Sequence, residues 1–431
     1  MKKRLLSVAL AVSMTAAMLT GCGSGSSDEA NSSAQEGGEG KPTISVFTDY
    51  VESNSESVAV NFNKALEQTK EHFADKYNIE SEAVAIESYK EKIKAMVAAD
   101  ETPDIFMTWG AGFMESFVDA GKVAAIDDYI SEESKESLKT GALDMFEFDG
   151  KAYGLTANKW VGALYCNKTL FEENNQEIPT TFDELIEVCK TFREKGIQPI
   201  ALGAKDQWPC QQYINEFVIQ LAGADEANKM AFKETSLDNE YVAQACDYVI
   251  EMIDAGAFND GAMGLSNEEA YAAFTRGDNP MMYTNSNFSA QAIAEDSAIK
   301  DSVTAVRFPL LDGADPNQYF GGAIDGLCMS SKCEYPEETY EVMEYLVRAW
   351  AEADGGLVTW EVSDEAKANV DFLNQEIIDY SADATGYSLA WDTLFDSNDA
   401  QTWLDLVSEV YAGNITSGEE FAKQLQAGIG E

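Results

Sequence analysis

Apolar and polar positions near the start of the chain alternate in a way that predicts a layered α/β fold. "TISVFTDY" (43–50) is rich in β-branched residues and predicts a first strand, and apolar residues on one face predict a helix over about 57–77. A second helix is predicted over 89–99, between the segments "SEAVAIE" and "TPDIFMTWG". The order strand, helix, strand, helix, strand predicts a first lobe with a mainly parallel sheet.

Later segments predict a hairpin and a second α/β unit. "FDGKAYGL" predicts a hairpin that turns at Asp149–Gly150. In "IPTTFDELIEVCKTFREKG", either Thr180 or Thr181 can be the N-cap of a helix, and Glu184 stands three residues after Thr181. A buried strand is predicted over 281–283, and the remainder of the chain is mainly helical in pattern.

The first 40 residues are predicted to direct the protein to its location and not to form a folded domain. Basic residues at 2–4 precede a short apolar run, which predicts a signal peptide over 1–21 rather than a membrane-spanning helix of about 20 apolar residues. The exit "LTGC" is similar to a bacterial lipobox, in which Cys22 becomes lipidated. A plain secretory cleavage with a chance cysteine is the alternative. Residues 22–40 lack core-forming side chains and predict a flexible tether.

Length and charge narrow the functional class. About 390 residues remain after the tether, which favours two lobes over one core. The chain has 76 acidic and 29 basic residues, a formal charge of −47. Nucleic acid and anionic lipid head groups would be repelled by such a surface, so neither is an expected partner. Any contact with the membrane is expected through the lipid anchor alone.

Catalytic and metal-binding patterns are scarce. His72 is the sole histidine and lies in a predicted surface helix, so a Ser-His-Asp triad and a histidine-rich metal site are excluded. Six cysteines besides Cys22 form no C-x-x-C pair; they are expected to be buried, with one disulfide left open. No cofactor or metal site is predicted, although a calcium loop at 381–392 and a glycosidase carboxylate pair stay open.

Aromatic side chains beside polar ones are the strongest functional signal. Ligands of open α/β sheets bind beyond the carboxyl ends of strands, where Asp49, Tyr50 and Trp109 lie. Trp208 follows Asp206 between a predicted strand and a helix. A carbohydrate site needs flat rings for the C–H face of a sugar and polar groups for its hydroxyls. The alternative for each tryptophan is ordinary core packing.

Five segments together carry a family resemblance. They are "TPDIFMTWG", "GKVAAIDDYI", "FDGKAYGLTANKWVGALYCNKTLFEENNQEIPTTFDELIEVCKTFREKGIQPIALGAKDQW", "AYAAFTRGDNPMMYTNSNF" and "FPLLDGADPNQYFGGAIDG". From about Pro42 onward the chain resembles the sugar-binding lipoproteins of bacterial ABC importers, the extracellular solute-binding proteins of family 1, which are related to the maltose-binding protein.

The resemblance implies a two-lobed α/β fold of the periplasmic-binding-protein type (type II). Its hinge of crossing strands would lie near 154–160, 306–308 and 351–355. Lobe 1 would then comprise residues 41–155 and 306–352, and lobe 2 would comprise residues 156–305 and 353–431. The family holds its ligand in the cleft between the lobes.

The resemblance also implies a set of ligand-binding residues. Trp160 would stand in the cleft and Trp208 would stack on a sugar, while the loop at 285–288 has Phe where the family usually has Trp. At most one of Trp360, Trp391 and Trp403 would reach the ligand. The expected binding residues are Asp49, Tyr50, Trp109, Trp160, Asp206, Trp208, Asn285, Asn287, Phe288 and Asp325.

The function expected from the residues and the resemblance together is capture rather than catalysis. A monomeric protein, anchored by Cys22 to the outer face of the cytoplasmic membrane of a bacterium of the Gram-positive type, would bind an oligosaccharide and deliver it to an ABC transporter permease. The alternatives are a secreted glycoside hydrolase, a binding protein for a peptide or amino acid, and an adhesive surface protein. The arginines that would clamp an α-carboxylate look peripheral to the aromatic positions.

Overall fold

A computed structural model describes residues 41–139 and 141–429 of the chain. The predicted signal peptide (1–21) and the tether with Cys22 (22–40) lie outside these residues. Within the described part, no helix combines the length and the apolar character that crossing a membrane requires.

Strands and helices alternate at the start of the described chain, and runs of strands and runs of helices follow. The strands are β1 (Thr43–Thr48), β2 (Asn78–Ala83), β3 (Ile105–Trp109), β4 (Glu147–Phe148), β5 (Lys151–Ala152), β6 (Gly154–Leu155), β7 (Trp160–Asn167), β8 (Met281–Asn285), β9 (Val303–Val306), β10 (Gln318–Gly322), β11 (Asp325–Met329) and β12 (Gly386–Ser388). The helices are α1 (Ser57–His72), α2 (Ile86–Ala99), α3 (Gly112–Asp119), α4 (Glu132–Ser137), α5 (Lys168–Glu173), α6 (Phe182–Glu194), α7 (Trp208–Ala222), α8 (Ala224–Ala231), α9 (Glu240–Asp254), α10 (Asn267–Thr275), α11 (Ser289–Ala292), α12 (Pro336–Asp354), α13 (Asp364–Ala368), α14 (Phe372–Ser381), α15 (Trp391–Leu394), α16 (Ser397–Tyr411) and α17 (Gly418–Ile429).

The first sheet has the strand order β2, β1, β3, β11, β6. β1 runs parallel to β2 and to β3, whereas β11 runs antiparallel to β3 and to β6. All residues of β3 are buried, as expected for a strand in the middle of a covered sheet. The order strand, helix, strand, helix, strand predicted for the first part of the chain is therefore confirmed.

The second sheet is built around β7, every residue of which is buried. β8, β9 and β10 all pair with β7 in antiparallel register, and β12 adds to the edge of β10 in parallel. The predicted strand at 281–283 is confirmed as part of β8. The second lobe is thus built on a mixed sheet, whose strands contact α7, α8 and α14.

Two local predictions are confirmed in atomic detail. β4 and β5 form the predicted hairpin, and Asp149 and Gly150 take φ values of 51° and 73°, as a tight two-residue turn requires. At the start of α6, the Thr181 hydroxyl accepts from the Glu184 N–H at 3.3 Å, and the Glu184 carboxylate accepts from the Thr181 N–H at 3.2 Å. Thr181, rather than Thr180, is therefore the N-cap.

The crossings between the sheets correct one predicted boundary. The chain passes from β6 to β7 through 156–159, inside the predicted first crossing. It returns between β10 and β11, at 323–324, and not at 306–308 as predicted. The reason is that both β9 and β10 pair with β7, so the segment from 306 to 322 lies with the second sheet. After α12, Val358 bridges to Asn158.

The C-terminal helices pack mainly on the second lobe. α16 contacts α7, and α17 contacts α9. α15 touches both α7 and α3, the latter belonging to the first lobe. At that contact Gly112 needs to be glycine, because a Cβ there would lie 2.3 Å from the carbonyl oxygen of Phe395. The end of the chain therefore reaches across to the first lobe.

The cysteines of the described residues are free thiols rather than disulfides. Five of the six are buried, and Cys333 is half-buried. Burial raises the pKa of the Cys189 thiol to about 12. The interpretation of these residues as small core side chains is confirmed, with Cys333 at the margin.

Replacing Trp350 by alanine is expected to destabilise the first lobe. Its indole is fully buried in α12, with its ring centroid 5.3 Å from that of Tyr50 and 5.2 Å from that of Phe62. Because the change leaves a large cavity, Trp350→Ala should lower the free energy of unfolding by about 3–5 kcal/mol in urea denaturation. Phe232→Ala, at a side chain 44% exposed, should change it by less than about 0.5 kcal/mol. A loss below about 1 kcal/mol in Trp350→Ala would contradict this packing.

Candidate functional site

A cavity of about 380 Å³ lies between the two sheets. On the first lobe its wall follows the ends of strands. Asp49 and Tyr50 come directly after β1, and Trp109 ends β3. Asp325 begins β11 and is the cross-strand partner of Trp109. The sheet register thereby places these four side chains around one opening, as the strand-end argument predicts.

The second lobe supplies the facing wall. Trp160 stands at the start of β7, and Trp208 stands at the start of α7. Asp206 lies just before Trp208, and its carboxylate accepts from the Asn267 N–H at 2.7 Å. Asn285 ends β8, so the wall is made of strand and helix termini on this side too.

The structure brings nine of the ten predicted binding residues to this one cavity. They are Asp49, Tyr50, Trp109, Trp160, Asp206, Trp208, Asn285, Asn287 and Asp325. They come from several segments far apart in sequence, which the tertiary fold brings together. Whether each touches a ligand stays a prediction.

Phe288 does not line the cavity, which corrects that expectation. Its side chain is fully buried, with its ring centroid 4.5 Å from that of Tyr271 and 5.1 Å from that of Tyr165. The short turn at 286–288 directs residue 288 into the apolar core beneath β7. The polar residues of the loop, Asn285 and Asn287, face the cavity instead.

The tryptophans of the C-terminal part are core residues. Trp360, Trp391 and Trp403 are almost fully buried, and none of the three lines the cavity. Trp391 and Trp403 pack against each other with ring centroids 5.0 Å apart. The cavity therefore draws its aromatic wall from Trp109, Trp160 and Trp208.

Several cavity residues were not predicted from the sequence. Gln211 and Gln212 stand three and four residues after Trp208, and on a helix this spacing places side chains on one face. That spacing could have revealed them. The others, for which no such signal is visible, include Glu56, Lys90, Phe113, Glu268, Phe320 and Asp392.

Neighbouring side chains of the cavity wall orient two of its aromatic rings. Trp109 meets Phe113 edge to face at 5.0 Å, and the Lys90 ammonium lies 5.6 Å from the Trp109 ring centroid. Trp160 meets Phe320 edge to face at 5.0 Å. Such contacts fix the orientation of a ring before any ligand arrives, which lowers the entropic cost of binding.

The start of α7 is held in an unusual conformation beside Trp208. Gln207 has a backbone φ of 61°, a positive value that residues other than glycine rarely adopt. Its side-chain amide donates to the Asp405 carboxylate at 3.0 Å and to the Ser408 hydroxyl at 3.2 Å, both in α16. Pro209 then occupies the first turn of the helix, where a missing N–H costs little. The C-terminal helices thus position Trp208.

Two buried carboxyl groups dominate the electrostatics of the first lobe wall. Burial, and next the neighbouring Asp325, raise the pKa of Asp49 to about 8. Burial, and next Glu56, raise the pKa of Asp325 to about 7, against the opposing effect of a hydrogen bond with Trp109. Near neutral pH these carboxyl groups therefore hold protons for part of the time, and can donate as well as accept hydrogen bonds.

Polar atoms without a hydrogen-bond partner converge on the cavity. Within the described residues, these include Asp49 Oδ1, Tyr50 Oη, Gln212 Oε1 and Asp392 Oδ1. Buried polar atoms are normally paired, because an unpaired one costs about 1–3 kcal/mol. With three tryptophan rings alongside, the arrangement suits a ligand that has an apolar face and many hydroxyl groups around it. No histidine or cysteine occurs in the cavity lining of the described chain.

Comparison with known proteins gives a consistent picture. The family model of bacterial extracellular solute-binding proteins matches residues 57–353. The chain is similar to a structure from work on xylan utilization by the thermophilic bacterium Caldanaerobius polysaccharolyticus, with 34% identity, a TM-score of 0.83, and coverage of 89% of this chain and 99% of that chain. It is also similar in fold to a chitin oligosaccharide binding protein, with 23% identity, a TM-score of 0.79, and coverage of 90% and 98%.

Curated relatives match over shorter stretches. The chain is 22% identical over 265 residues to the multiple sugar-binding protein of Streptococcus mutans, which covers 60% of this chain and 62% of that protein. The chain covers a smaller share of the length of other curated relatives, down to 27% for one of them. Together with the solved structures, these matches show the two-lobed α/β fold of solute-binding proteins.

The raised pKa values of Asp49 and Asp325 predict that these two groups lower the free energy of unfolding as the pH rises. A carboxyl group whose pKa is higher in the folded than in the unfolded chain keeps its proton on folding, so deprotonation between about pH 4 and pH 8 favours unfolding. The melting temperature should therefore rise more at pH 8 than at pH 5 when Asp49 or Asp325 is replaced by asparagine. Asp75→Asn, at an exposed position, is the control. An equal change in Asp49→Asn at both pH values would contradict the raised pKa.

Proposed function

Since the chain belongs to the bacterial extracellular solute-binding protein family, we propose that it captures an oligosaccharide between its two lobes and delivers it to the permease of an ABC importer. It acts as a monomer and performs no chemistry on its ligand. Affinity differs between the open and the closed arrangement of the lobes, and closure signals to the permease that the site is occupied.

One observation carries this proposal. Three tryptophan rings and several buried polar atoms without partners line the same cavity, with contributions from both lobes. A sugar offers an apolar C–H face for the rings and hydroxyl groups for the polar atoms. Since both lobes contribute, a bound sugar would link them, which is what a closure mechanism requires.

The similar proteins narrow the ligand class. The structure at 34% identity comes from work on xylan utilization, and the Streptococcus mutans relative is a multiple sugar-binding protein. An oligosaccharide derived from xylan is therefore the first ligand to test. Three tryptophans in the wall favour two or more sugar units over a single ring.

A catalytic role is less well supported. The cavity lining offers carboxyl groups such as Asp49 and Asp325, as a glycoside hydrolase would need. The matched family and its neighbours are binding proteins, however. Incubation of the purified protein with the bound sugar, followed by analysis of products, separates the two roles.

Trp208→Ala is expected to weaken oligosaccharide binding. Calorimetric titration of the purified full-length chain against xylo-, malto-, manno-, fructo- and galacto-oligosaccharides, with amino acids as a second class, should give saturable binding to one class of sugar. Losing a half-buried indole from the cavity wall should cost about 1.5–3 kcal/mol, or about 10- to 150-fold in Kd. Phe232→Ala, outside the cavity, should leave Kd unchanged. Binding of amino acids and of none of the sugars would contradict the proposal.

Cys22 is proposed to carry the lipid that holds the protein at the outer face of the cytoplasmic membrane. When the gene is expressed in a Gram-positive host, Cys22→Ala should move the protein from the membrane fraction to the medium or keep its signal peptide uncleaved. Immunoblots of the fractions measure this outcome. Cys333→Ala is the control, since that thiol lies in the folded part. Membrane retention of a cleaved Cys22→Ala protein would contradict lipid anchoring.

A further inference from the structure

The cavity is acidic on both lobes. Six carboxyl side chains line it, against one ammonium group, that of Lys90. Where these groups are ionised, they create a field of one sign that any charged ligand feels, and this field grows as the pH rises through the raised pKa values of Asp325 and Asp49, about 7 and about 8. The six carboxyl residues are Asp49, Glu56, Asp206, Glu268, Asp325 and Asp392.

Five of these carboxyl groups form a series that crosses the cleft. After burial, which is the larger cause, Asp325 raises the pKa of Asp49 and Glu56 raises the pKa of Asp325, so these three groups are close enough to interact. Glu268 likewise raises the pKa of Glu56, and Asp206 raises the pKa of Glu268. The series begins at the strand ends of the first lobe and ends beside Trp208 on the second.

Lys90 does not neutralise this series. Its ammonium group pairs with Glu87 at 3.1 Å and lies over the Trp109 ring. It lowers the pKa of Asp49 and of Asp392, but burial, the larger effect, leaves both pKa values raised. The carboxyl groups of the cavity therefore outweigh the single cation.

Two of the unpartnered atoms of the cavity favour a ligand that donates hydrogen bonds. Asp49 Oδ1 and Gln212 Oε1 lack a donor, and their side chains are only 8% and 3% exposed. A sugar hydroxyl can donate to both atoms. A carboxylate on the ligand has no proton to donate, and it adds a like charge wherever the carboxyl groups of the cavity are ionised.

We propose that the cavity selects its oligosaccharide by charge: it accepts uncharged sugar units and excludes a unit that carries a carboxylate near Asp49, Asp325 and Glu56. This inference rests on the proposed function and deepens it. Uronic acid branches are common chemical variants of plant oligosaccharides, so the exclusion would decide which fragments the protein delivers.

The test compares three sugars, two of them matched in size, by calorimetric titration of the full-length chain at pH 9, where Asp49 and Asp325, with pKa values raised to about 8 and about 7, are mainly ionised. They are xylotriose, xylotriose with one 4-O-methylglucuronic acid branch, and that branched sugar after reduction of its carboxyl group to an alcohol. If maltotriose binds in place of xylotriose, maltotriose and its derivative oxidised to a carboxylate at one C6 are used. The anionic sugar should bind at least about 100-fold more weakly than its uncharged counterpart.

Substitutions test whether the series of carboxyl groups causes the weak binding of the anionic sugar. Asp325→Asn, nearly isosteric with the natural side chain, should narrow the ratio of the two affinities to less than about 10-fold. Asp206→Asn, at a half-buried position, provides a second variant in case the first fails to fold. Asp75→Asn, on the surface of the first lobe, should leave the ratio unchanged. The ratio is the readout because a general structural defect would weaken both sugars alike.

The outcomes separate this inference from the proposed function. Equal binding of the anionic and the uncharged sugar overturns charge selection while leaving sugar capture intact. Charge selection is also overturned if both branched sugars bind equally weakly compared with xylotriose. The size of the branch, and not its charge, would then explain the loss of affinity. If no uncharged oligosaccharide of the panel binds, sugar capture and charge selection fall together.

Discussion

The antiparallel pairing of β11 with β3 holds the cavity wall in place. After β10 the chain leaves the second sheet and inserts between β3 and β6 of the first. The register of that insertion sets Asp325 opposite Trp109, next to the end of β1. A shift of one residue would turn the Asp325 side chain to the other face of the sheet. The charge and the aromatic surface of the site therefore depend on one strand register.

The cavity keeps polar groups where a stable core would have apolar ones. Asp49 and Asp325 are almost fully buried, yet their surroundings favour the protonated form over a salt bridge. Such groups reduce stability unless a partner satisfies them. Binding sites commonly retain this cost because the same unpaired atoms recognise the ligand. The apolar packing of Tyr50 on Trp350 and Phe62 supports the wall from below.

The fold and much of the site could be predicted from the sequence for a physical reason. Strand ends, helix caps and apolar periodicity are local, so the positions of Asp49, Trp109 and Trp208 follow from nearby residues. Phe288 could not be placed, because the direction of its ring depends on the core beneath β7 and not on its own loop. The boundary at 306 was wrong because pairing of β10 with β7 joins segments far apart in sequence. Glu56 and Asp392 have no local sequence signal, and only the tertiary structure shows that they line the cavity.

The free thiols described above have a practical consequence. None of the described cysteines is fully exposed, and burial raises the pKa even of half-buried Cys333. Outside the described residues, Cys22 is the one further cysteine, and under lipid anchoring its sulfur is already occupied. Alkylating dyes react with exposed thiolates. One cysteine introduced on the surface of each lobe would thus carry a fluorophore with little background, and energy transfer between the two dyes would report lobe closure in real time.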